Sequence, residues 1–574
     1  MILKALYDYY HRCGDLPQKG LELKEIGFLI VIDKKGRFLR FEDRRLDKNH
    51  AQKFLVKKHI GRTSAIVANH LYDNSGYVFG YSEKGHGMEQ LQAFKDKIQS
   101  IYEAHPNNSD IVAVHKFYQQ EQTIVLEMMQ KDTLWPEIIK NLNKKYSTFS
   151  FLIEGDTKIV AEKSDLMDVN NEEENDGQQI CLVTGQRGHA VETTTTTMIP
   201  GSQATAKLVA FQVNSGYDSY GKTKGGNAPI SEEAEFAYTT ALNHLLESNS
   251  RNKFMVGNRT FLFWASKDDE AGKQAEESFF SLFGFNEQED DPNKNIEQVR
   301  KVFKSIYTGE LKTTSDDTFY ILGLAPNAAR IAVTYWAEIP LKQFAETISK
   351  HFDDMEVIDS RPEKKPYMSL RNILSTVTLG GKVSDATPNL PDAVVKSMFQ
   401  GIPYPQTLFA SCIRRIRAES GDKDKNSIHV TRAAIIKAYL NRLNNNEQKI
   451  KVMLDKENTN QGYLCGRLFA VLDKIQEEAY RQHSIRERYM NSASSTPAAV
   501  FSTILNLSNH HLEKLDSDGR RIYFEKLKQE IISKIDADGF HAQLDLQDQG
   551  RFFIGFYHQR QDFFTKNEEN NNEQ

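Results

Sequence analysis

Gly216, Gly221, Lys222 and Thr223 stand at the spacing of a phosphate-binding loop, G-x4-G-K-T. In such a loop, backbone N–H groups close on phosphate, the lysine reaches its outer oxygens and the threonine hydroxyl meets Mg2+. That chemistry needs a helix starting at the lysine and threonine, whose N–H groups and dipole form the cradle. Here Gly225, Gly226 and Pro229 follow Thr223 closely and break those first turns. A helical pattern begins only at Ser231, an N-cap followed by Glu232, Glu233 and Glu235. The spacing therefore predicts a polar loop rather than a nucleotide hydrolase. That loop carries Asn214, Tyr217, Ser219, Tyr220, Lys222, Lys224 and Asn227. Amides, cations and aromatic faces on one loop suit a nucleic-acid backbone or base edge. The plainer reading is a glycine-rich turn of structural value only.

A second polar turn lies at 71–80, where Asp73-Asn74-Ser75-Gly76 stands between Tyr72 and Tyr77. Asn74 is able to pair with a base edge and Tyr77 to stack or wedge. The alternative is a turn whose Asn caps its own backbone. Between Pro405 and Lys451, ten Lys/Arg face four Asp/Glu, although the whole chain has a net charge of −5. Such a segment reads either as a track for phosphates or as a solvated helix face. Further on, Arg467, Arg481, Arg486 and Arg488 accompany the apolar stripe Leu464, Leu468, Leu472, Ile475, Ala479. The stripe reads as core, and the arginines as a path for a single strand.

The sequence offers no catalytic constellation. Gly80-Tyr81-Ser82-Glu83-Lys84 is one glycine short of a nucleophile elbow. The 16 histidines are dispersed, and adjacent His510 and His511 point in different directions on a helix. Cys13, Cys181, Cys412 and Cys465 are too scattered for a metal knuckle and fit a reducing cytosol. Asp353-Asp354 reads as a solvated helix end and Asp290-Asp291 as a loop tip. No catalytic residue, metal or cofactor is expected, and the chain is not expected to be an enzyme. No run of about 18 apolar residues suggests a membrane span, so a cytoplasmic location is expected.

These groups must be positioned by an α+β chain. Segment 22–40 reads as two strands around a Lys-Lys-Gly turn, and 85–104 and 107–145 as helices. Strands are expected at 149–162, 179–185, 205–213, 260–264 and 319–336, and acidic loops at 163–178 and 286–296. Past Pro391 the strand signal ends and helical periodicity continues to about residue 535. Three regions are expected: a mixed α/β domain over 1–385, a basic helical connector over 386–450, and a helical bundle over 451–574. The last nine residues, KNEENNNEQ, read as a disordered tail.

Several runs carry a family resemblance. They are MILKALYDYYHR at the start, Leu71 to Gly80, ICLVTGQ at 180–186, and SYGKTKGGNAPISEEAEFAYTTALNHLL from Ser219. YILGLAPNAARIAV at 320–333, RAAIIKAYLNR at 432–442, YLCGRLFAVLDKIQEEA at 463–479 and IRERYMNSASSTPAAVF at 485–501 continue in order. Together they resemble the large subunit of the type I-C CRISPR interference complex, Cascade. Ala210-Phe211-Gln212 departs from an expected Ser-Phe-Asn. The resemblance implies a non-catalytic subunit that inspects duplex DNA for a protospacer-adjacent motif (PAM). It also implies help in unwinding and R-loop formation, a hold on the displaced strand, and help in recruiting a helicase-nuclease. The implied PAM contacts are Asn74, Tyr77, Ser219, Tyr220, Lys222, Lys224 and Asn227. The implied displaced-strand contacts are Arg467, Arg481, Arg486 and Arg488. The implied partners are CRISPR RNA (crRNA), double-stranded target DNA, the Cascade backbone subunits and the subunit holding the RNA 5′ handle. A small subunit translated from an internal start is a further implied partner; Met453, at an Asn-rich break before the stripe from Leu464, is the expected start rather than Met490, which would lose the helix 463–482. A nucleotide-driven enzyme would also need an apolar strand ending in an acid to hold Mg2+, and FLFWASKDD at 261–269 has Ser and Lys before its acids. A stand-alone RNA-binding or processing protein is the other alternative.

Overall fold

The computed structural model describes residues 1–60, 65–82, 85–144, 146–167, 179–212, 218, 220–283, 296–360, 368–422, 426–443, 448–481 and 484–572, with backbone alone at 296–298 and 565–572. The fold is α+β, and the chain forms two compact units. One comprises Cys13–Glu192 and Asp218–Thr240; the other comprises Met1–Arg12, Thr193–Tyr217 and Ala241–Gln574. The chain thus divides at places other than 385 and 450.

In the unit holding Cys13–Glu192, strands Phe28–Ile32 and Phe149–Ile153 pair in parallel, Ile30 opposite Phe151. Phe38–Asp43 and Tyr72–Asp73 flank them antiparallel. Both central strands are buried throughout; Phe28–Ile32 is an unbroken apolar run, and Ser150, the one polar residue of Phe149–Ile153, donates its hydroxyl to the Leu71 carbonyl. A parallel pair needs a crossover, and helices Gly87–Ala104, Ser109–Gln119, Gln122–Gln130 and Trp135–Lys140 occupy the chain between them. Asn108 starts the second of these by accepting from the N–H groups of Asp110 and Ile111. Phe28 stacks on Phe149 at 5.6 Å between centroids. A two-stranded sheet, Leu21–Glu25 with Lys53–Lys57, lies beside the loop before Tyr72: the Tyr72 hydroxyl donates to the Lys57 carbonyl.

The other unit holds an antiparallel sheet in the order Arg330–Pro340, Thr318–Asn327, Arg259–Ala265, Lys253–Val256. One face packs on helices Glu270–Phe283 and Leu341–Met355, with Phe319 stacked on Phe344 at 4.5 Å. The opposite face carries Trp264, which meets Tyr9 of helix Ile2–Arg12 edge-on. Among the described residues from Leu390 onward every element is a helix, as the lost period-2 signal predicts. One continuous apolar core runs from Phe254 to Phe563, so the expected boundary at 450/451 cuts through packed side chains.

Helix Gln461–Tyr480 is the axis of the C-terminal bundle, buried on nearly every side. It crosses helix Leu546–Asn572 closely because glycine faces backbone: a Cβ on Gly466 would stand 1.9 Å from the Phe552 carbonyl oxygen, and one on Gly555 2.3 Å from that of Tyr463. Helix Leu546–Asn572 runs through most of the segment expected to be a disordered tail.

Other expectations shift as well. The strand at 149–162 ends at Ile153, and that at 179–185 shrinks to Gln179–Ile180. Segment 205–213 forms no strand over its described residues; Lys207 makes a lone bridge to Arg330. Its backbone groups are met locally instead, as where the Thr197 N–H donates to the Ala206 carbonyl. Residues 168–178 and 284–295 of the expected acidic loops, Asp290-Asp291 among them, lie outside the described residues.

Candidate nucleic-acid interface

The loop after Asp218 is folded by one carboxylate and one missing Cβ. Asp218 Oδ1 accepts from the Lys224 N–H and from Asn227 Nδ2, both at 3.3 Å. Asn227 Nδ2 also donates to the carbonyls of Lys222 and Lys224 at 3.2 Å. Gly225 packs so tightly on the preceding segment that a Cβ would stand 1.8 Å from the Val191 carbonyl oxygen. Lys224 Nζ pairs with Glu192 at 2.7 Å, and that hydrogen bond holds the Glu192 carboxyl below its usual range. The backbone turns through positive φ at Tyr220 (51°), Gly221 (72°) and Lys224 (45°). Positive φ at two non-glycine residues costs free energy that the Asp218 and Gly225 contacts offset.

This bracing leaves a few side chains outward. Tyr220 is 100% exposed, and Lys222 and Thr223 are exposed beside it. A tyrosine entirely in water on a strained, braced turn is poorly explained by packing and well suited to stacking on a base. Thr223 is extended (φ −122°, ψ 155°), and the next α-helix starts at Glu232, with Ser231 Oγ accepting from the Ala234 N–H. The phosphate-loop helix is therefore absent at Lys222-Thr223, as the glycines and proline predict.

Two predicted contacts on this loop change role. Asn227 is exposed, and its amide nitrogen donates to the loop's own carbonyls and to Asp218, so it braces the turn. Lys224 is tied to Glu192 and braces the same turn. Ser219, like Asn214 and Tyr217, lies outside the described residues. Gln212, at the departure from the expected Ser-Phe-Asn, has its Oε1 accepting from Arg330 Nη2 at 2.7 Å.

At the second turn, Asn74 is exposed and caps the short helix Ser75–Phe79, its Oδ1 accepting from the Gly76 N–H at 3.0 Å. It lines a cavity of about 260 Å3 with Lys24, His59, Asn69, Asp73 and Thr148. His59 Nδ1 lies 2.8 Å from Glu22. Burial pushes the Glu22 carboxyl up, but the His59 hydrogen bond and charge outweigh it and hold the group below its usual range. Tyr77 is a correction: it is 2% exposed and part of the core, so it neither stacks on a base nor wedges a duplex.

The arginine path is corrected in the same way. Arg467 is fully buried, with Nε donating to Gln559 and Nη2 pairing with Glu530 at 3.0 Å. It belongs to the bundle core, not to a strand path. Arg486 is half-buried beside Asp473, whereas Arg481 and Arg488 are exposed. The basic segment 405–451 is largely structural too. Lys437 Nζ donates to the carbonyls of Asp353 and Asp354 at the end of helix Leu341–Met355, favourable for a cation at a helix C-terminus. Arg442 donates to the carbonyls of Ser397 and Ile402 and pairs with Asp354 at 2.6 Å, so Asp354 is not a solvated helix end. Periodicity alone missed this, because a basic helix reads alike whether its cations meet water or carbonyl groups.

Among the described residues no group of His, Cys, Asp or Glu is placed to hold a metal ion, and no helix is long and apolar enough to cross a membrane. The geometry is that of a two-unit α+β protein presenting an aromatic and cationic loop. Residues 6–564 match the family model of the CRISPR-associated protein Cas_Csd1, and the chain belongs to that family. No curated protein matches it.

Proposed function

We propose that this chain is the non-catalytic large subunit of a type I-C Cascade complex, which inspects duplex DNA for a PAM and helps to open it. Wholly exposed Tyr220 beside Lys222, on a turn held rigid by Asp218 and Gly225, carries this reading. A rigid mount lowers the ordering cost of a contact, and a stacking ring next to a cation matches DNA at a base step being opened. Asn74, the exposed group of the second turn, adds an amide donor for a base edge. The crRNA reads sequence by pairing, so this subunit needs only modest affinity and many salt-sensitive phosphate contacts. The partners in this reading are the backbone subunits, the subunit on the RNA 5′ handle and a recruited helicase-nuclease.

The test is DNA binding by the reconstituted complex. Tyr220→Ala is expected to weaken PAM duplex by about 1–3 kcal/mol while sparing non-PAM duplex. Lys222→Ala is expected to weaken both alike and to flatten the salt dependence. Unchanged PAM discrimination in both Tyr220→Ala and Asn74→Ala, with the affinity and salt dependence of Lys222→Ala also unchanged, would remove the proposal.

A further inference from the structure

A cavity of about 340 Å3 opens between helix Leu370–Ser375, the end of helix Gln406–Glu419 and the start of helix Val430–Arg442. Its wall is rich in groups that donate to anions. Thr431 and Asn372 both line it, and neither side chain has a hydrogen-bond partner among the described residues. Thr376 Oγ1 lies 2.9 Å from His429 Nε2. His429 is the N-cap of the thirteen-residue helix Val430–Arg442 but makes no side-chain cap, so the first N–H groups of that helix are not met from the cap position.

The charge behind the wall favours an anion as well. Glu419 lies between two guanidiniums, Arg432 Nη1 at 2.5 Å and Arg415. Burial alone would raise the Glu419 carboxyl, but the two arginines outweigh it and hold it at about 2. The one carboxylate of the wall is thus faced by two cations. Arg432 also donates to the Thr376 carbonyl through Nε and Nη2, fastening the 376–381 loop in place.

That loop ends the cavity in Leu379, 83% exposed and followed by two glycines. An isolated anion has no use for this side chain; a nucleotide has, because its base needs an apolar face beside the phosphate seat. Gly421, two residues past Glu419, abuts the segment of Arg486 and Arg488: a Cβ on Gly421 would stand 3.9 Å from the Glu487 carbonyl oxygen. Exposed Arg481 and Arg488 flank that segment.

We infer that this cavity seats a phosphodiester of single-stranded nucleic acid, with Thr431, Asn372 and the start of helix Val430–Arg442 on the phosphate and Leu379 against the adjoining base. The inference rests on the reading of the chain as a nucleic-acid-binding subunit and adds a site separate from the Tyr220 loop. The ligand is the sugar-phosphate chain, whose source is a DNA strand or an RNA strand.

The test uses the full-length chain and short fluorescent single strands of DNA and RNA of one sequence, read by anisotropy. Thr431→Val and Asn372→Ala are each expected to weaken binding about tenfold, the worth of a hydrogen bond to a charged group, with the melting temperature unchanged. Asn372 is exposed, so its variant carries the test if Thr431→Val proves unstable. A strand whose phosphates are replaced by neutral methylphosphonates should bind wild type as weakly as natural DNA binds the variants. The tighter of DNA and RNA names the strand. Displacement by millimolar inorganic phosphate, with no loss on methylphosphonate substitution, would assign the cavity to free phosphate and overturn the inference. Wild-type affinity in both variants would overturn it too. If PAM discrimination still fails in Tyr220→Ala, only this inference falls; if the cavity variants alone have an effect, the reading of the Tyr220 loop falls instead.

Discussion

At the scale of single residues, burial separates groups that composition makes look alike. Arg467 and Arg488 both stood in the predicted strand path, yet one is enclosed and paired with Glu530 and the other is exposed. Their alanine variants should therefore differ in kind. Arg467→Ala is expected to cost about 3–5 kcal/mol of stability, because a buried pair loses one partner and its space. Arg488→Ala should leave the urea midpoint within about 0.5 kcal/mol of wild type while weakening single-strand binding. Equal loss of stability in the two would contradict the structure. Glu419 gives a pH dependence of definite sign. Its folded carboxyl, at about 2, lies below the ordinary glutamate value of 4.5, so its stabilisation is present in full above 4.5 and is lost as pH falls through about 2. Glu419→Gln should be less stable than wild type at neutral pH, with the gap in urea midpoint shrinking through that window. A gap that stays constant would show that the arginines do not favour the charged form.

At the scale of elements, close approach of backbones decides which residues are tolerated. The crossing of helices Gln461–Tyr480 and Leu546–Asn572 leaves no room for a methyl group at Gly466 or Gly555. Gly466→Ala should gain about 1 kcal/mol in helix propensity but lose about 3 kcal/mol or more by forcing the helices apart. Denaturant unfolding measures the balance, and a neutral result would mean that the crossing is looser than described. The same logic governs the Tyr220 loop, where Gly225 rests on the Val191 carbonyl and a larger residue would lift the turn from its support. Helix starts obey simpler local rules. Asn108, Ser231 and Asn460 each cap the helix that follows by accepting a backbone N–H, and the Ser231 cap was legible before any fold was known.

At the scale of the molecule, the proposed small subunit from Met453 meets a packing question. Residues 453–574 keep helix Gln461–Tyr480 and its crossing partner, and therefore a bundle with its own interior. They would lose Phe409 and Ile436, which pack at Gly550, and the Ile358 carbonyl that accepts from the Tyr557 hydroxyl. A separate copy would expose that side of helix Leu546–Asn572 and would need a partner surface to cover it. Intact-mass measurement of the expressed locus should show both the full chain and the 453–574 product, the latter bound in the complex. A single full-length product, with complete complexes still assembling after Met453→Leu, would discard the internal start.

Local sequence settled what depends on near neighbours in the chain. The Gly225, Gly226 and Pro229 breaks denied a helix to Lys222-Thr223, Ser231 with its acidic turn placed the helix that follows, and the loss of strand periodicity past Pro391 marked the all-helical end. Ordered motifs along most of the length pointed to a CRISPR-associated family, and the family match bears out that coarser part. Tertiary structure decided what depends on distant segments: that Tyr77 and Arg467 are core, that Lys437 and Arg442 serve helix ends, and that Asn227 braces its own loop. It also decided that the core runs unbroken past residue 450, and that Asn372, Leu379 and Thr431 surround one cavity. The physical reason is that backbone preference acts over a few residues, whereas burial and pairing are set by neighbours tens or hundreds of residues away. A cation, an amide or a ring has the same spelling in a core as on a surface, and only its neighbours distinguish the two.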